Sequence, residues 1–573
     1  MQGNYWQAAN QKLLTKAISE LHFENSITVD HLDGRQFRLT LPDAEWRFTG
    51  TMSIWGMVMV DSGSVSRGDN YHPELIELVM DLQSVINMDP LHLGGFIEEY
   101  QETLIAEQQH LAMLSTLPAD KLVTLSETDR QPYLDAHPKA LANKGRLGWG
   151  QQDRQQYAPE YGNTFALHYL AVHRACARYG FGDGFDQASL LTETLSPAAY
   201  DALMTRLAVD ERDDYLIMAV HPWQMQRYIY SQYASLFASG DIIDLGASTE
   251  QWRPQQSIRT LSRADGQGAY DVKTALTILN TSCYRGVPGS FIAHGPVLSK
   301  WLSTCVREDA LLSRLGMHVQ QEVAGVYCPQ PYQAQIDGCY KYHEMLGCVW
   351  RERAESLLPS HQRPMSMATL MQAGGDGVSC VEALIARTLL TPREWLQRLF
   401  DHVVVPLYHL LCQYGIGLVA HGQNITLVLE DDIPVGCMIK DFHGDLRFVD
   451  QPFPELDSLD KRVRAAIKHL PPHYLVHDLY TGHFVTTLRF ISPWFVSLGV
   501  SETEFYRQLG DTLRRYQQAH PQLNERFGLF DVLSETKEKI CINRVRFNIG
   551  YDDSNERPVP MFGEAIRNPL AEA

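Results

Sequence analysis

The 573-residue chain has no Cys-x-x-Cys pair. Its ten cysteines are scattered singly, which speaks against a disulfide framework and against zinc or iron–sulfur sites and fits reduced thiols in the cytoplasm. Lys/Arg-rich runs are missing too. With 49 basic against 68 acidic residues and a formal charge of −19, nucleic acid and anionic membrane surfaces are poor partners. No apolar run reads as a membrane span, since the most apolar stretch, Val403–Ala420, contains Pro406, His409, Gln413 and two glycines and reads as a buried helix running into a strand. The opening residues MQGNYWQAANQKLL lack the basic-then-apolar order of a secretory signal. GxxxxGK[ST], internal repeats and low-complexity tracts are also absent. What is present is an ordinary globular composition, 45% hydrophobic and 20% charged, with length for about three to four domains' worth of core. Any anion site must therefore be locally basic against an acidic background.

Such a site stands out between Gln255 and Gly289, where Ser257, Arg259, Thr260, Lys273, Thr281, Ser282 and Arg285 crowd one window of strand and turn character. Val272–Leu279 reads as a half-buried strand, and Asp265, Gly266 and Gly268 mark the turn that folds Ser257–Thr260 back against it. Guanidinium groups grip carboxylate or phosphate oxygens bidentately and lysine acts as a point charge, so the set suits a polyanionic ligand. A salt-bridged surface hairpin is the alternative.

Along the chain, a helix over Tyr5–Leu21, a small meander through Phe37–Val60 and helices from Pro73 and Leu93 make an N-terminal α+β lobe, 1–122. A second lobe, 123–385, opens with AHPKALANKGRLGWG, in which His137, Lys144 and Arg146 sit among glycines that let backbone approach a phosphate; a structural turn is the alternative there. Thr164–Tyr179 and Tyr340–Glu352 are expected to be helices, and Tyr215–Val220 a strand ending in His221-Pro-Trp-Gln224. The third lobe, 386–573, begins with a helix from Pro392 to Tyr414, stopped by Gly415 and Gly417. Strand, His421-Gly-Gln423-Asn424, strand, turn and a strand into Lys440-Asp441-Phe442 follow. A hard divalent cation on a nucleotide takes one or two protein oxygens, which Asn424 and Asp441 on adjacent strands would supply, while His421 could contact phosphate or steer a proton.

KGRLGWG, YAPEYGNTF, HPWQ, QQSIRT, NTSCYRG, VVVPLYHLL, AHGQNITL, KDF and RFISP, in this order, resemble the IucA/IucC family of NRPS-independent siderophore synthetases over essentially the whole chain. The resemblance implies an α+β cupped-hand fold of thumb, fingers and palm lobes, the last FhuF-like. It also implies an AMP-forming acid–amine ligase using ATP and Mg2+, in which a carboxylate attacks the α-phosphate and the amine of a hydroxamate-bearing lysine displaces AMP. His137, Lys144, Arg146, Ser257, Arg259, Thr260, Lys273, Arg285, Gln423 and Lys440 would hold nucleotide. Thr281, Ser282, Arg285 and His421 would hold the citryl group, Asn424 and Asp441 the magnesium, and Arg259, Arg285, Lys273 and His421 would act in catalysis. Several relatives that act on free citrate carry Glu two residues before the loop histidine; here Val419 stands there, which points to a citryl monoamide, N2-citryl-N6-acetyl-N6-hydroxylysine. A homodimer is expected. Two alternatives remain open on the residues: a desferrioxamine-type synthetase joining N-hydroxy-N-succinyl diamines, and a ferric-siderophore reductase, which should show a C-terminal cysteine cluster where this chain has only Cys541 beyond Cys437. An ADP-forming ligase is told apart by its product.

Overall fold

A computed structural model of the chain describes residues 2–281, 283–338, 340–549 and 561–571. The N-terminal part packs the helices Gln2–Phe23, Leu75–Ile86 and Pro90–Leu114 around a five-stranded sheet. Leu14, Ile18, Trp46 and Phe48 are buried in its core, which Phe547 from near the chain's end also enters.

The middle of the chain builds an eight-stranded antiparallel sheet in the order Arg178–Phe181, Glu322–Tyr327, Gly347–Glu352, Tyr270–Thr274, Thr260–Arg263, Ile242–Pro254, Phe165–His173, Tyr215–Val220. Two of these strands were expected as helix. Phe165–His173 lies between two neighbours in the sheet; its FALHYLAVH run is apolar enough for either period, and ladder pairing on both sides decides for strand. The helix at Tyr340 lasts only to His343, after which Gly347–Glu352 is a strand pairing with Tyr270–Thr274 and Glu322–Tyr327. The stretch read as one strand, Val272–Leu279, breaks at Ala275 into the end of Tyr270–Thr274 and a separate strand, Leu276–Asn280, which pairs with Cys283–Arg285.

In the last part, Thr391 and Glu394 form a capping box that starts the helix Pro392–Leu399. Helical structure continues to Tyr414 and stops at Gly415, whose φ of 65° is left-handed. Val403, Val404, Leu410 and Leu411 on it are buried, each contributing roughly 1.5–3 kcal/mol. This anchored helix delivers the chain to the strand Ile416–Leu418 and the His421 loop. The four-stranded sheet beyond that loop is completed from earlier sequence, because Met317–Val319 pairs parallel with Ile433–Ile439 and Gln362–Ser366 pairs antiparallel with Ile425–Glu430.

Candidate active site

Strand alternation sets up the anion window. Thr260 pairs with Lys273, Lys273 with Val349, and Asp271 with Arg351. Leu261, Val272 and Trp350 therefore enter the apolar core, whereas Thr260, Ser262, Asp271, Lys273 and Arg351 share the opposite face. That face is buried too, with none of the five more than 7% exposed, so its charges need partners. Ser262 donates to Asp271 at 2.7 Å and Gln255 donates to Asp271 at 2.9 Å. Arg351 lies 3.6 Å from Asp271 and 3.8 Å from Asp441, and Lys273 forms an ion pair with Asp441. Burial alone would raise the Asp441 carboxyl, but Lys273 and Arg351 hold it well below the usual carboxylate range.

Register links the two sheets chemically. Ile425 pairs with Ile439, which puts Asn424 beside Lys440 and Asp441. Asn424 donates its amide N–H groups to the Val419 carbonyl at 3.0 Å and to Asp445 at 3.1 Å, so its oxygen is the remaining donor atom. Hard oxygens from Asn424 and Asp441 fit a magnesium ion by chemistry. His421 Nδ1 accepts from the Gln423 amide, and its ring lies 6.1 Å from that of His137. Both histidines are shifted down, chiefly by burial; His421 and Lys16 add to the effect on His137, while Asp445 and Asp441 oppose it at His421. Arg285 acts electrostatically on both and donates to the Asn280 carbonyl at 2.8 Å. Arg259 donates to the Gly286 carbonyl. Lys440 is buried, and burial followed by the Arg351 charge lowers its ammonium.

Three non-glycine residues around these groups have left-handed backbone: Ile258 at φ 61°, Thr281 at 48° and Asp441 at 68°. Two are β-branched, for which this conformation is a true outlier costing of order 1–3 kcal/mol. Strain of this kind concentrated around one set of charges indicates a geometry held for function.

The structure thus brings together His137, Arg259, Thr260, Lys273, Arg285, His421, Asn424, Lys440 and Asp441. Ser257 supports the turn, its hydroxyl accepting from the Thr260 amide at 3.1 Å. Thr281 donates its hydroxyl to the Asn280 carbonyl, and Gln423 is half-buried in the His421 loop. Ser282 lies outside the described residues. Lys144 and Arg146 are engaged elsewhere: Lys144 holds Glu107 and Asp135 and Arg146 holds Glu160, with both cations 1% exposed. Sequence reasoning missed Asp271, Arg351, Glu322 and Asp445. Gly347 inside the expected helix was the one local signal that Arg351 belongs to a strand.

Residues 126–372 match the IucA / IucC family and residues 393–555 match the ferric iron reductase FhuF-like transporter family. Aerobactin synthase of Escherichia coli is 40% identical over 570 residues, 99% of this chain and 98% of that one. The chain belongs to the IucA/IucC family. Aerobactin synthase of Vibrio mimicus is 35% identical over 99% of this chain and 98% of its own length. The solved aerobactin synthetase IucC from a hypervirulent Klebsiella pneumoniae superposes with a TM-score of 0.90 at 36% identity, covering 100% of this chain and 99% of the other. The α+β fold expected of a family member is therefore the one observed. Among the described residues no helix is long and apolar enough to cross a membrane.

Proposed function

We propose that this family member is the cytoplasmic synthetase that completes aerobactin: it adenylates N2-citryl-N6-acetyl-N6-hydroxylysine with ATP and condenses it with N6-acetyl-N6-hydroxylysine, releasing AMP and diphosphate. One observation carries the reading: Lys273, Arg351 and Arg259 act together on Asp441, and Arg285 acts on His137 and His421 beside it, in a chain alike over its whole length to aerobactin synthases. The E. coli protein named for making the citryl monoamide is less similar, 24% identical over 62% of this chain, which favours the second condensation over the first.

A carboxylate is a poor acyl electrophile and must first take the adenylyl group. Attack on the α-phosphate gathers negative charge, and Arg259, Lys273, Arg285 and Arg351 are already in place to neutralise it; removing one such contact typically costs about 3–4 kcal/mol of barrier. Asn424 and Asp441 would hold magnesium, which supplies further charge neutralisation on the phosphates when bound. His137 and His421, both shifted toward the neutral form chiefly by burial, would donate hydrogen bonds to phosphate oxygens. Val419 presents an apolar side chain beside this loop, while its carbonyl fixes Asn424 and its N–H donates to the Asp445 carbonyl at 2.8 Å. A citryl monoamide has lost one carboxylate charge and gained apolar bulk, which suits such a wall.

The test is a product assay with each acyl substrate. AMP, not ADP, should accumulate, and kcat/KM for the monoamide should exceed that for citrate at least about tenfold, a discrimination of about 1.4 kcal/mol. ADP as product would overturn the adenylation step. Equal or better use of free citrate with the same amine would move the enzyme to the first condensation.

A further inference from the structure

A pocket adjoins the charged face. One end holds Arg259, Lys273 and Glu322; Val287, Phe291, Ile292 and Val349 form apolar walls. Glu322 begins the strand Glu322–Tyr327 and is 3% exposed. Its carboxylate accepts no hydrogen bond among the described residues, although it sits at the start of the helix Gly295–Glu308, where a Cβ on Gly295 would come within 2.9 Å of Oε2. The helix terminus and Lys273 offset part of the burial cost, yet the carboxyl remains raised, with burial the main cause. A buried carboxylate that opens onto an apolar pocket beside the adenylation cations is not explained by binding of phosphate or citryl carboxylate groups, since both are anionic.

We infer that this pocket seats the amine nucleophile, with Glu322 binding its ammonium and taking its proton. The inference rests on the adenylating ligase reading above. An ammonium supplies one positive charge and three N–H donors, the complement of a bare carboxylate, and its aliphatic stem suits the walls of Val287, Ile292 and Val349. A purine brings no positive charge to the carboxylate. The ammonium gives one proton to Glu322 and becomes the neutral nucleophile; its lone pair forms the C–N bond. The acyl C–O bond breaks with its electron pair on the AMP phosphate, which also takes the second proton. A carboxyl whose proton affinity is raised by burial is better matched to that transfer than a solvated one.

The experiment separates the half-reactions in the full-length chain. Pyrophosphate–ATP exchange with the acyl substrate alone reports adenylation, and amide formation with the amine varied reports the pocket. For Glu322→Gln the expected result is exchange at or above the parent rate, with the amine KM raised and the amide-forming kcat lowered at least tenfold each; Glu322→Asp should recover part of both. An unchanged amine KM and kcat, or exchange falling in step with amide formation, overturns the proposal. If Glu322→Gln does not fold, Val349→Phe narrows the same pocket and should raise the amine KM alone. A raised ATP KM in that variant would assign the pocket to the purine and overturn the proposal equally. Absence of exchange in the parent would sink the adenylation reading, and this proposal with it.

Discussion

Lys273 and Asp441 form an ion pair, which sets a sign for Asp441→Asn that a simple ligand-loss argument would miss. A nucleotide phosphate must take Lys273 away from the carboxylate, and the carboxylate is then released to magnesium. Two unit charges about 4 Å apart at an effective dielectric near 20 interact by about 4 kcal/mol. Asp441 is 20% exposed and also faces Arg351 at 3.8 Å, so solvent and the second cation absorb much of that energy. We take about a third, ~1.4 kcal/mol, or about tenfold in affinity. Asp441→Asn should therefore bind metal-free ATP about tenfold more tightly than the parent while losing most of the gain that magnesium brings. Calorimetric titration in EDTA and again in excess magnesium reads both. Because Asp441→Asn leaves the buried Lys273 without its ion-pair partner, while Arg351 keeps Asp271, Lys273→Gln/Asp441→Asn serves as the stability control. Metal-free affinity equal to or weaker than the parent's, with superimposable magnesium curves, would refute the competition and remove Asp441 from the metal shell.

Arg146→Met should act on stability rather than on the KM for ATP: it strands Glu160, itself 1% exposed, at a cost of about 3–5 kcal/mol, and Arg146→Met/Glu160→Gln should restore the urea midpoint. An intact midpoint with a raised ATP KM would return Arg146 to the nucleotide site. His221 is fully buried and its imidazole is lowered to about 3 by burial. The unfolded chain therefore protonates first as pH falls below the ordinary value near 6.5, and stability present above that pH is lost toward pH 3, about 2 kcal/mol of it by pH 5. His221→Asn keeps an acceptor for the Trp223 amide, which His221 Nδ1 now receives at 3.1 Å. It should flatten the difference in unfolding free energy between pH 7 and pH 5 by about that amount. Asp478, raised to about 7 chiefly by burial, runs the opposite way in both proteins, so the variant-minus-parent difference isolates His221; equal slopes would show that His221 is not the titrating group.

Short-range physics settled what the sequence could reveal alone. Asp265, Gly266 and Gly268 between two strand-like stretches marked the hairpin, because a chain reversal needs such turn residues, while the folded register put Asp271 on its polar face. Gly415 marked the end of the helix that begins at Pro392, since a left-handed cap is satisfied within one turn. The long ordered motif series carried the family. Tertiary structure decided where the energetic alternatives were close locally and only distant partners could separate them. The apolar run Phe165–His173 became a strand because two neighbouring strands take its N–H and C=O groups. Lys144 looked like a phosphate ligand until the fold brought Glu107, 37 residues away, against it. Glu322 was invisible in EVAGVY, because a carboxylate acquires chemical meaning only when burial removes its water, and burial is a property of the folded chain.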